Sequence, residues 1–199
     1  MHSLATTFVL GYQGCDEAVA ESLLQNEPFR PSENPYDWLG HGIYFWGGNP
    51  RRALEFAREL KRRNAGKPNV IEKPAVVGAV IDLGFYLDLI SSSGIAAVKV
   101  AYENYMDLNA KGGVDPPVNR LGNDLLLREL DCEVINHLHA IRAAGRFQPY
   151  DTVRGVFIEG SRIYKNAGFF EKTHIQICVR DAARINGVFR VRREDLDPA

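Results

Sequence analysis

Apolar and polar positions along the chain follow two different periods, and the changes between them mark out its elements. Thr6 to Tyr12 (TTFVLGY) is β-branched and aromatic and leads to Gly14, which predicts a strand and a turn; Cys15-Asp16-Glu17 then opens a short helix through Leu24. Asn26 to Asn34 holds two prolines among polar turn formers and predicts a loop, after which Tyr36-Asp37-Trp38-Leu39 leads into a glycine-bracketed segment. Asn49 is a good helix N-cap with Pro50 behind it, so Arg51 to Asn64 predicts a helix closed by Gly66. Lys73 to Leu83 (KPAVVGAVIDL) is nearly continuous in apolar residues and predicts a central strand.

The period then lengthens. Gly94 to Ala110 and Asn123 to Ala144 carry apolar residues at helical spacing, separated by the Gly- and Pro-rich loop Lys111 to Gly122, and together predict a helical insertion over about 86–150. Period two returns at Thr152 to Ile158, Thr173 to Val179 and Gly187 to Val191, and the residues from there to Ala199 read as a fraying polar tail. No internal repeat interrupts this order, which reads as one α+β domain over 1–199.

Composition narrows the class. At 199 residues and 45% hydrophobic, the chain is long enough to bury one substantial core but hardly two. A net charge of -1 gives no global attraction to nucleic acid or anionic membrane. Cys15, Cys132 and Cys178 are odd in number and form no CxxC pair, so neither a disulfide framework nor a metal site is indicated, and a cytoplasmic location is expected. The apolar run Ala5 to Leu10 is too short for a signal peptide and no stretch approaches membrane-spanning length.

The segment carrying most chemistry is Gly40-His41-Gly42-Ile43-Tyr44-Phe45-Trp46. Glycines let backbone approach a ligand closely, and an aromatic delivered by the following strand suits a flat heteroaromatic ring next to a phosphate-bearing group. A nicotinamide dinucleotide is the first candidate. In the strand Thr173 to Val179, alternation puts His174, Gln176 and Cys178 on one face and Thr173, Ile175, Ile177 and Val179 on the other, so Gln176 is either paired structurally or aimed into a cleft.

These segments, in this order, resemble the ADP-ribosyltransferase superfamily on its poly-ADP-ribose-polymerase-like side, and within it the small bacterial toxin-like members. Phe8 to Gly14 looks like the family's first strand with its Tyr-His-Gly type of turn, Gly40 to Phe45 is similar to its Gly-x-Gly-Ile-Tyr-Phe motif, Ala53 to Ala57 resembles its ring-bearing helix, and Thr173 to Val179 resembles the late strand with the third signature residue. The resemblance covers both ends of the chain and leaves about 86–150 unmatched. It implies a split, mainly antiparallel sheet forming an NAD cleft, and transfer of ADP-ribose from NAD, as substrate, to a nucleic acid or protein. It also implies a toxin, of a toxin-antitoxin or phage-defence kind, partnered by an antitoxin protein.

The resemblance also assigns roles. Tyr44 and Phe56 would sandwich the nicotinamide, the Tyr12, Gln13 and Gly14 backbone would fix its amide, Gly42 and Phe45 would complete the cofactor wall, and Gln13 would make the ribose contact usual for histidine. Tyr44, Gln13, Gln176 and a carboxylate, Glu159 or its rival Glu171, are the candidate catalytic groups. Three departures bear on activity. Gln176 stands where most members have a glutamate and brings no charge, while Gln13 stands where a histidine is expected and Gly47 where close relatives tend to show an acidic residue, as in an attenuated or a naturally diverged member.

Other classes remain open beside this one. A fold that has lost its charged group could serve as a catalytically degenerate NAD or ADP-ribose-binding module or an interaction domain. A cysteine hydrolase or metal enzyme would draw on Cys15 with His41, His137, His139 or His174, but no spacing ties any pair together. Arg51-Arg52, Arg58 and Lys61-Arg62-Arg63 could form a positive rim for phosphates, against the plainer reading of a solvated helix face.

Overall fold

Asp16 ends the first strand and starts the first helix with the same carboxylate. Its Oδ1 accepts from the N–H of Ala18, and its Oδ2 accepts from the N–H groups of Glu72 and Lys73, so helix start and neighbouring strand are tied to one side chain. The computed structural model describes residues 8–66, 71–122 and 124–196. Thr6 and Thr7, Asn123 and 197–199 therefore lie outside the described residues.

In chain order the elements are β1 (Phe8–Asp16), α1 (Glu17–Leu24), β2 (Ile43–Gly47), α2 (Pro50–Arg63), β3 (Pro74–Asp82), β4 (Tyr86–Asp88), α3 (Ser92–Gly112), β5 (Asn119–Arg120), β6 (Leu127–Arg128), α4 (Glu129–Ala144), β7 (Thr152–Phe157), β8 (His174–Val179), β9 (Ile185–Arg190) and α5 (Arg193–Leu196). Seven strands form one sheet in the order β4-β7-β8-β2-β1-β3-β9, antiparallel throughout except for the β4-β7 pair. The mixed content and mostly antiparallel sheet agree with the α+β expectation. No helix among the described residues is long and apolar enough to cross a membrane.

The cap expected at Asn49 is present, and α3 carries two more. Asn49 accepts from the N–H of Arg52 with Pro50 at the first helical turn, and Ser91 caps α3 while Gly113 closes it in the left-handed conformation at φ 66.

Four parts of the chain differ from the expectation, each through tertiary contacts that local pattern does not report. The turn expected at Gly14 and the helix expected to open at Cys15 are strand, because β1 pairs with β3 as far as Asp16↔Pro74. The segment expected as a helical insertion contributes β4, which pairs parallel to β7 from Tyr86↔Thr152 to Asp88↔Arg154, and a two-stranded β5-β6 hairpin. The helix expected from Asn123 begins at Glu129. Asn119 Oδ1 accepts from the N–H groups of Leu130 and Asp131 and so caps α4 from outside its own sequence neighbourhood. The expected polar tail holds α5, whose Leu196 packs on a cluster with Trp46, Ala53, Leu54 and Val76.

Both faces of the sheet are covered. On one, α3 and α4 pack Ala101, Val134, Ile135 and Leu138 against Leu87, Val153, Phe157 and Cys178, while α2 covers Trp46 and Val76 in the other half. On the reverse face Ile43, Phe45, Ile81, Ile177 and Val179 form the core with Phe29 of the 26–34 loop against it, and α1 seals Cys15 and Val77 with Ala20 and Leu23. The gap between the α2 half and the α3-α4 half is where the functional side chains meet.

Candidate functional site

The sheet is split between β1 and β2. These strands are paired only at Gly11↔Gly47 and Tyr12↔Trp46, yet β1 runs on against β3 to Asp16↔Pro74, and β2 runs on against β8 to Ile43↔Val179. Beyond Tyr12 the two strands part around a cleft of about 780 Å³. Gln13 and Gly14 of β1, Tyr44 and Trp46 of β2, Arg52 and Phe56 of α2, and His174 and Gln176 of β8 all line it.

The pleat fixes which backbone groups face the gap. The carbonyl of Leu10 accepts from the N–H of Gly48, so alternate residues of β1, Leu10, Tyr12 and Gly14, turn N–H and C=O toward β2. By the same alternation the Tyr44 carbonyl turns toward β1. A continued ladder would join it to Gly14. Instead Nε2 of Gln13 donates to it at 3.3 Å, so a side chain occupies the acceptor on one lip while the Gly14 amide on the other is aimed into the opening. Gly14 must be glycine for another reason: a Cβ there would lie 2.0 Å from the carbonyl oxygen of Ala53, because α2 crosses directly over it.

Tyr44 presents its ring and withholds its hydroxyl. The phenol oxygen donates to the Gly40 carbonyl at 2.8 Å and accepts from the Leu39 N–H at 2.9 Å, and burial pushes its pKa far above the ordinary tyrosine value. It is therefore a fixed platform and no acid. Trp46, which the sequence reading did not single out, lies on the same face two residues on, buried, with its ring centroid 4.7 Å from that of Phe56. The ring expected to close over a ligand opposite Tyr44 is thus itself engaged by Trp46.

Three expected cofactor contacts are corrected. Phe45 follows Tyr44 in a strand and so points to the reverse face, where it is wholly buried against Phe29 at 5.2 Å. Gly42 forms an isolated bridge with Ser32, and a Cβ on it would meet Cys178 Sγ at 2.5 Å, so it lets strand and loop approach and does not line the cleft. Tyr12 makes an edge contact with Phe189 of β9 and spends its backbone on the pair with Trp46, so it does not line the cleft.

Gln176 lies in the cleft directly across from Trp46, and its Oε1 accepts from the indole Nε1 of Trp38 at 2.5 Å. The group it has left to offer is its amide NH2. Arg128 spans the rings behind this bond, 5.2 Å from the Trp38 centroid and 4.2 Å from that of Phe157.

Two of the three carboxylates lining the cleft, Glu59 and Glu159, belong to an ionic network, while the third, Asp37, accepts from the Asn34 N–H. Arg52, only 5% exposed, donates through Nη2 to both oxygens of Glu159 at 3.1 and 2.9 Å, while Lys172 pairs with Glu59 at 2.8 Å and approaches Glu159 at 3.6 Å. Burial alone would raise the Glu59 carboxyl, but Lys172 and Arg52 outweigh it and hold it below the usual range. Of the two rival carboxylates, Glu159 is thus a cleft residue, whereas Glu171 is exposed and accepts from the Ser161 N–H. Of the basic residues read as a solvated helix face, Arg52 is buried and Arg62 and Arg63 line the cleft.

The thiols are not poised for nucleophilic work. Burial pushes Cys15 and Cys132 up to about 11 and Cys178 up to about 12, and all three are buried.

No family model matches the chain, and no solved structure matches it. The chain is 23% identical over 192 residues to an uncharacterized protein of Methanocaldococcus jannaschii, a likeness that spans 87% of this chain and 83% of that one.

Proposed function

We propose that the cleft binds NAD and that the protein transfers its ADP-ribose to a macromolecule, in line with the superfamily its sequence resembles. The observation carrying this reading is the interrupted β1-β2 ladder. A nicotinamide carboxamide carries one acceptor and one donor side by side, and the N–H and C=O of Gly14 aimed into the opening match that pair, beside the fixed ring of Tyr44. Arg62 and Arg63 on the cleft wall suit the pyrophosphate. Glu159 supplies a carboxylate, shared with Arg52, and Gln176 a neutral hydrogen-bonding group where the transition state gathers positive charge.

A second reading is an NAD or ADP-ribose-binding module without turnover. It is favoured by one feature: Gln176 is uncharged and held by Trp38, while Glu159 is already neutralised by Arg52. Calorimetry with NAD, followed by mass spectrometry of the products, separates the two. Binding with nicotinamide release supports the transferase, binding without release supports the module, and no binding overturns both. Incubation with labelled NAD in lysate, then nuclease or protease, assigns the acceptor: label lost to nuclease marks nucleic acid, and label lost to protease marks protein. The toxin and antitoxin expectation follows only if a labelled acceptor is found.

A further inference from the structure

Polar atoms of three cleft-lining residues are buried without a hydrogen bond: Nε1 of Trp46, Nε and Nη1 of Arg52, and Nε2 of His174. Leaving such groups unsatisfied is costly, and their gathering in one cleft marks a place that a bound group completes.

His174 is the informative member. It is 6% exposed and lies two residues before Gln176 on the cleft face of β8. Its Nδ1 sits 2.6 Å from the carbonyl oxygen of Lys172. A carbonyl only accepts, so Nδ1 holds the hydrogen and Nε2 is left as a bare lone pair. The ring is fixed by stacking on Phe157 at 5.6 Å and by Trp46 at 6.1 Å. The charged groups around it are Arg52 and Glu59 from α2, Glu159 after β7, Lys172 ahead of β8, and Arg128 on the far side of Phe157. Burial keeps the imidazole neutral; the Lys172 carbonyl and Glu159 oppose this, and Arg52 reinforces it.

We infer that this part of the cleft is a subsite for a hydroxyl-bearing acceptor, with Nε2 of His174 as the base that takes its proton. The inference rests on the NAD reading above. A hydroxyl can donate to Nε2 while accepting from Trp46 Nε1 or Arg52, which a carboxylate, having no proton to give, cannot do. In the step, the acceptor oxygen forms a bond to C1′ of the nicotinamide ribose and the C1′–N bond breaks. That electron pair neutralises the pyridinium of the leaving nicotinamide. The hydroxyl proton passes to Nε2, and the resulting imidazolium, beside Glu159, later returns it to solvent.

The test uses the whole chain with NAD and lysate acceptor. On the wild type, the labelled product should resist neutral hydroxylamine, which cleaves the ester that a carboxylate acceptor forms; hydroxylamine-labile product overturns the inference without any variant. H174Q, which keeps hydrogen bonding but has no titrating base, should bind NAD within about twofold of wild type, yet release nicotinamide about a hundredfold or more slowly. It should also lose the acid limb of the pH-rate profile. Undiminished turnover with that limb intact overturns the inference and leaves the NAD reading standing. Wild-type protein that binds NAD without releasing nicotinamide overturns it in favour of the module, and wild-type protein that does not bind NAD removes both.

Discussion

The indole of Trp38 and the amide of Gln176 meet at 2.5 Å across 138 positions of sequence, joining the loop before β2 to the floor of the cleft. Trp38→Phe keeps a ring for Arg128 to stack on but removes the donor, leaving Oε1 of a half-buried amide without its partner. The expected loss is about 1 kcal/mol by urea denaturation, toward the low end because the cleft admits water. If Trp38→Phe and wild type have the same midpoint, the bond does not hold the loop.

Gly14→Ala tests the approach of α2 to β1. The added methyl would stand 2.0 Å from a helix carbonyl, which no rotamer can relieve. The expected cost is at least about 1–3 kcal/mol, with α2 displaced and NAD affinity lost beyond what stability explains. Gly187→Ala, where a Cβ meets nothing, is the control. Equal stability of the two variants would contradict the packing described.

Glu159→Gln removes the strongest partner of a buried guanidinium. With Arg52 only 5% exposed, losing this carboxylate is expected to cost about 3 kcal/mol, short of the full penalty of an unpaired buried charge because Glu59 at 3.6 Å and Glu55 at 3.8 Å remain, yet far above the effect of an exposed pair such as Lys111 with Asp107. Equilibrium unfolding of Glu159→Gln against Asp107→Asn measures the contrast. A loss below about 1 kcal/mol would show that Glu59 and Glu55 suffice for Arg52.

Stability should fall on the acid side through buried histidines. Burial first, then Arg180 and Arg142, pulls the His139 imidazole down to about 3. Below the ordinary histidine value of about 6.5 the unfolded chain takes up a proton that the folded one refuses, so stability is complete above that pH and declines toward 3. The expected slope is about 1 kcal/mol per pH unit, and His174, lowered in the same direction, adds to it. His139→Gln should flatten the dependence of the urea midpoint between pH 7 and about 4.5; an unchanged slope would assign the acid loss elsewhere.

Neighbouring aromatics on β2 should separate by function. Phe45→Ala, in the reverse-face core at 0% exposure, is expected to cost about 3–5 kcal/mol while leaving the NAD affinity of the folded protein unchanged. Tyr44→Phe removes both hydroxyl bonds to the Leu39-Gly40 turn and should change affinity more than its smaller loss of stability. Calorimetry on each folded variant decides; weakened binding in Phe45→Ala alone would reverse the assignment of faces.

The parts written in local pattern were legible. Asn49-Pro50 announced α2, and the alternation in Thr173 to Val179 put His174 and Gln176 on one face, whereas the glycines around His41, read as admitting a ligand, admit Asn136 and Ile135 of α4 and Cys178 of β8. The same alternation already separated Tyr44 from Phe45 and pointed to Trp46, a signal outweighed by the motif's likeness to a cofactor wall. Other features depend on distant partners. Arg52 looks like one more basic residue on a charged helix until Glu159, 107 residues later, folds over it. β4 has three residues and pairs only through the return of β7, and α4 takes its cap from Asn119 in the preceding hairpin. No window of sequence carries those relations.

The seam between β1 and β2 is also a mechanical weak line. Two paired positions, the Gly48 N–H on the Leu10 carbonyl and the Gln13 side chain join the strands there, so the halves of the sheet can shear against each other more readily than strands in a full ladder. A ligand spanning Gly14 and Tyr44 supplies the rung that the sheet lacks. Its arrival would stiffen the whole seven-stranded layer, slowing amide exchange in β3 and β9, which do not line the cleft.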